Sequence, residues 1–158
     1  MKRYLTAVIL LSSTATALGQ ELNLERAPLK GLKKFHVTIE NLDSESQGAG
    51  LSADQLKTDV ELRLRRSRVP VKDSSLASLY VNVNPLRLSV GNVWACAIHV
   101  GLRDSVTLDR DKSIGCLAET WETGGIFVIP TGKLVANVRE NVADLVDKFV
   151  NDYLAANP

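Results

Sequence analysis

The chain has 158 residues, 45% of them hydrophobic, and its 19 basic and 18 acidic residues leave it near neutral. That length fits one domain with its own core, and that balance excludes a protein held to nucleic acid or anionic lipid by bulk charge. Two cysteines are too few for a disulfide-dense scaffold.

The opening run MKRYLTAVILLSSTATALGQ reads as a secretory signal peptide. Lys2 and Arg3 form a positive start, and Tyr4 to Leu11 is apolar but too short to span a bilayer. Ala17-Leu18-Gly19 places small residues where a signal peptidase cuts, so cleavage is expected before Gln20. Removing Lys2 and Arg3 leaves one more acidic than basic residue. No cysteine follows the apolar run, so the expected product is exported, periplasmic or extracellular, and not lipid-anchored. No later stretch is apolar for long enough to be a transmembrane segment.

Three units follow: the signal peptide (1–19), a linker or arm (20–31) containing Pro28 and Gly31, and one globular domain (32–158). The domain begins with alternation. Phe35, Val37 and Ile39 face one way and His36, Thr38 and Glu40 the other, as in a half-buried strand. Asp43 to Gly50 has loop composition. Ser52 with Gln55 forms a capping box, and Leu51 with Leu56 forms a hydrophobic staple. A helix with Ala53, Leu56, Val60 and Leu64 on one face is therefore expected, ended near Arg68 by Pro70.

LYVNVN alternates again, with Leu79, Val81 and Val83 opposite Tyr80, Asn82 and Asn84. Pro85 marks an edge or a bulge late in that strand. Val93–Leu108, a turn over Asp109 to Lys112, and SIGCLAETWE complete an antiparallel meander. Gly124-Gly125 is expected to break the pattern before a separate extended segment, IFVIP. A long amphipathic helix closes the chain, with Val135, Val138, Val142, Leu145, Phe149 and Tyr153 at helical spacing. The expected fold is α+β: a two-layer sandwich in β-α-β-β-β-α order, with a mainly antiparallel sheet and two helices packed on one face.

Chemical candidates are few. A strand sends Cys96 and His99, three apart, to opposite faces, and no zinc or copper spacing occurs, so no metal site is expected. Cys96 and Cys116 each sit among small apolar residues, the setting of buried, unreactive thiols. Export favours a disulfide, but strand geometry opposes one. A turn centred on Arg110-Asp111 sets Cys116 against Ser105 and Cys96 against Gly124-Gly125. The thiols are then roughly 30 Å apart along the sheet, far beyond the reach of a bridge. No bridge within the chain is expected.

Thr131-Gly132-Lys133 lacks the glycine and the Ser or Thr of a phosphate-binding loop, and no nucleophile motif is present. No catalytic residue and no cofactor are therefore expected. The binding candidates are Arg63 and Arg66 on the first helix, beside Arg65 and Arg68, and Tyr80 and Asn82, with Asn84, on a sheet face. The arginines also complement the negative end of their helix. The functional expectation is a non-enzymatic envelope domain that binds a protein or cell-wall partner and no nucleic acid. The alternative is a small hydrolase of envelope glycans or lipids that uses a Glu119-Trp121-Glu122 corner. Partner identity and oligomeric state are not encoded in any motif.

Overall fold

The computed structural model describes residues 24–158, so the signal peptide and the first residues of the arm lie outside the described residues. Four strands form one sheet in the spatial order β1-β2-β3-β4: β1 (His36–Ile39), β2 (Ser78–Arg87), β3 (Val93–Leu108) and β4 (Asp111–Pro130). Helices α1 (Ser44–Gly48) and α2 (Ala53–Arg66) lie between β1 and β2, and α3 (Leu134–Ala156) follows β4. The class is α+β, with a mixed sheet. β2, β3 and β4 form the expected antiparallel meander, whereas β1 runs parallel to β2. A long connection containing a helix returns the chain to the end of the sheet where it began, which makes the two flanking strands parallel.

Three local expectations are corrected. Asp43–Gly50 is not all loop: the Asp43 carboxylate accepts from the Ser46 N–H at 2.8 Å and caps the short helix α1. Helix α2 ends at Arg66, short of Arg68. Arg68 takes a left-handed φ of 60°, and the Val69 N–H returns to the Leu64 carbonyl at 3.0 Å. That is a Schellman end without its usual glycine. Gly124-Gly125 does not interrupt the sheet, and IFVIP is the last part of β4. A Cβ on Gly124 would lie 2.7 Å from the Ile98 carbonyl oxygen across the ladder, and one on Gly125 would meet the Phe127 ring of its own strand at 3.2 Å. Gly124 permits close strand approach instead of a turn.

The remaining signals act as the residue chemistry dictates. The Ser52 hydroxyl accepts from the Gln55 N–H at 3.3 Å at the start of α2, while the Gln55 amide donates forward to Asp59 and leaves the capping box half-formed; Leu51 and Leu56 are both buried. Pro85 lies in β2, which is interior only along its first half. The Val81 carbonyl accepts from Glu40, so Pro85, four residues on, turns its missing donor toward the same side, past the end of β1.

Leu79, Val81 and Val83 of β2, together with Trp94, Cys96, Ile98, Val100 and Leu102 of β3, are buried. They share one cluster with Leu56, Val60 and Leu64 of α2 and with Val138, Val142, Leu145 and Phe149 of α3. Phe149 packs edge-on against Phe35 and Trp121, with centroids 5.4 and 5.1 Å away. The arm is docked: Leu29 is buried, Arg26 pairs with Asp152 at 2.7 Å, and Asn157 donates to the Leu29 carbonyl. Among the described residues no helix is long and apolar enough to cross a membrane.

Candidate functional site

The outward face of the sheet is built in cross-strand rows, because paired residues of an antiparallel ladder share a face. From one end these rows are Ser78–Arg103–Glu119, Tyr80–Gly101–Glu122, Asn82–His99–Gly124, Asn84–Ala97–Ile126 and Leu86–Ala95–Val128. The first three rows are polar and the last two are largely apolar. At the apolar end Ile126, Val128 and Leu86 are 78%, 70% and 65% exposed.

A break in register makes the polar end. Leu102 faces Trp121 but Arg103 faces Glu119, so Thr120 is an extra residue in β4. Residues three apart in a regular strand leave on opposite faces, and the bulge cancels that rule. Glu119 and Glu122 therefore share the outward face, while Trp121 turns into the core. There its indole N–H donates to Asp152 at 3.1 Å. The strand thus sends the Trp121 indole and the two carboxylates to opposite faces, although Glu119, Trp121 and Glu122 all line one surface pocket with Thr120, Lys148 and Asp152.

The polar side chains form a chain of contacts. The Tyr80 hydroxyl and the Asn82 amide both donate to the Glu40 carboxylate. The Arg103 guanidinium lies over the Tyr80 ring, 3.3 Å from its centroid, and 3.8 Å from Glu119 Oε2. Burial, and then the bond to Glu40, raise the Tyr80 phenol above its usual pKa. Glu119 Oε1 meets His99 Nε2 at 2.5 Å, and Glu122 Oε2 lies 4.0 Å from the same nitrogen. Gly101 makes room for this arrangement: a Cβ there would sit 2.4 Å from the Glu119 carboxyl carbon.

The sequence candidates are not gathered in one place. Tyr80 and Asn82 lie together on Glu40, with Asn84 donating to the Asn82 side chain at 2.5 Å. Arg63 instead forms a two-pronged ion pair with Asp147 of α3, at 2.5 Å on both prongs. Its hydrogen bonds hold the Asp147 carboxyl below the usual carboxylate value. Arg139 of α3 likewise binds Asp59 of α2 at 2.6 Å. Arg63 and Arg66 line the groove between these helices. Arg63 thus ties the two helices together and is engaged within the fold. The sequence points to Glu119 and Glu122 only as the corner of the hydrolase alternative, and assigns His99, Arg103 and Glu40 no place in a site. The available signal was glycine in strand-like sequence, at 101 and 124, which marks bulges and close approaches.

The cysteines also differ from expectation. Cys96 faces Phe127 and Cys116 faces Val106, not Gly124-Gly125 and Ser105. The error comes from the extra residues in β4 at the bulge and near the turn. Cys96 is buried, and burial raises its thiol to about 11. Cys116 is exposed, not buried, because it lies on the outer part of the β3–β4 hairpin, where few side chains are covered. Ten residues of β3 separate the two pairing positions, about 33 Å of strand.

No protein-family model and no curated protein matches the chain. Among solved structures, a PelC dodecamer from Paraburkholderia phytofirmans is similar over 82% of this chain and 88% of that chain, at 15% identity and a TM-score of 0.45.

Proposed function

We propose that this protein is an exported, non-enzymatic domain of the cell envelope that binds a protein or cell-wall partner through the outward face of its sheet. In this reading α2 and α3 cover the other face and make a two-layer sandwich. The single buried cluster shared by both helices and by alternate strand residues supports that layering. The observation that carries the binding role is the adjacency of exposed Leu86, Ile126 and Val128 on two neighbouring rows. Isolated exposed apolar residues are ordinary, but a contiguous group rimmed by polar side chains is typical of an interaction surface. Tyr80, Asn82 and Asn84 supply that rim, and hydroxyl and amide groups give a partner its register. Arg63 and Arg66 belong to the helical side and are not part of this surface.

The export claim rests on the leader sequence. Fusing residues 1–25 to a reporter active only outside the cytoplasm should give activity, and the mature protein should begin at Gln20. For binding, the exported protein and a doubly substituted Ile126→Lys, Val128→Lys form are compared in affinity capture from an envelope extract. Equal circular dichroism with lost capture supports the reading, because exposed positions contribute little to stability. Unchanged capture would sink it. Turnover of envelope glycan or lipid that disappears in Glu119→Gln would replace it with the hydrolase.

A further inference from the structure

We propose that His99, Glu119 and Glu122 form a binding site for one divalent first-row transition ion, with zinc as its reference occupant. This goes beyond partner binding and does not depend on it. One coordinating atom from each side chain lies within 4.8 Å of the others. An imidazole nitrogen and two carboxylate oxygens are zinc ligands, bound at about 2.0–2.2 Å, with a fourth position free for water or for a group from another molecule. Around such an ion, tetrahedral ligand atoms stand about 3.4 Å apart. The separations from His99 Nε2, 2.5 Å to Glu119 and 4.0 Å to Glu122, bracket that spacing. All three side chains reach solvent.

The backbone supports this convergence in two ways. The extra residue Thr120 puts Glu119 and Glu122 on one face, and Gly101 leaves the space that the Glu119 carboxylate occupies. The charges around the cluster are mixed: Arg103 lies 3.8 Å from Glu119, and Arg26 and Lys148 line the same pocket as Glu119 and Glu122, with Arg26 paired to Asp152. Magnesium and calcium prefer six or more oxygen ligands, so one imidazole and two carboxylates select against them.

The test is calorimetric titration of the purified protein with zinc chloride, followed by the same titration with magnesium and calcium chloride. One zinc ion per chain is expected, with much weaker magnesium and calcium binding. His99→Ala and Glu119→Gln should each weaken zinc by about 100-fold or more, beyond the loss seen when a supporting residue is removed. His36→Ala should leave it unchanged. Arg103→Ala should tighten it, because a cation 3.8 Å from a ligand oxygen is removed. Circular dichroism identical to wild type keeps each variant interpretable. No saturable zinc binding, undiminished binding in His99→Ala, or calcium binding as tight as zinc would overturn the proposal.

Discussion

Strand β3 carries two surfaces held by different forces. Trp94, Cys96, Ile98, Val100 and Leu102 are buried and packed. On alternate positions, His99, Gly101 and Arg103 meet polar groups or glycine, and Ala95 and Ala97 stand in the exposed rows of Leu86, Val128 and Ile126. On the first surface each side chain is fixed by many small apolar contacts, and shape decides what fits. On the second, position comes from hydrogen bonds, an aromatic contact and the spacing of the strands, and chemistry decides. The core can therefore be disturbed only at a cost in stability, while the outward face can change its chemistry with little cost in folding.

The sharpest way to break that contrast is to truncate the packed side. Phe149→Ala removes a fully buried ring that touches both Phe35 and Trp121, and should lower unfolding stability in urea by about 3–5 kcal/mol. Ile126→Ala, on the outward face, should change the same measurement by less than about 0.5 kcal/mol. Gly124→Ala lies between them. It faces outward, but its new Cβ would press on the Ile98 carbonyl. A loss of about 1–3 kcal/mol is expected from that strain.

This contrast also explains what was legible before the structure. The buried face follows period 2 in the strands and 3.6 in the helices. Leu79, Val81 and Val83, the Ser52 cap and the apolar face of α3 could thus all be read directly. The outward cluster depends on one extra residue, Thr120, and on pairing register, neither of which alternation reveals. Glu119 and Glu122 are three apart and therefore looked like neighbours of Trp121 rather than partners of His99. The irregularity near the turn, between Thr107 and Leu108, moved both cysteines along the ladder, and the extra residue Thr120 moved Cys96 once more. A strand, a helix and a strand in succession encode the parallel β1–β2 pair, whereas the short connections of the meander that follows encode antiparallel pairing.

The ion pairs joining α2 and α3 give a smaller, pH-dependent effect. Hydrogen bonds from Arg63 hold Asp147 below its usual 3.8. Their stabilisation is fully present above the unfolded value and is lost as the pH falls through the folded one. Both side chains are well exposed, so the loss below about pH 4 should stay under about 1 kcal/mol. Urea unfolding as a function of pH should show that increment in the wild type but not in Asp147→Asn. The thiols sharpen the comparison without changing stability. Alkylation of the native protein should label Cys116 and spare Cys96 until denaturant is added. Equal labelling would mean that the face carrying Cys96 opens readily.

The most direct measurement replaces Ile126 with a photo-crosslinking amino acid in the exported protein within intact cells, with the same replacement at Glu140 on α3 as the reference position. The account predicts a discrete crosslinked partner from position 126 and none from position 140. Crosslinking from position 140 alone would contradict it and move the binding surface to the helices.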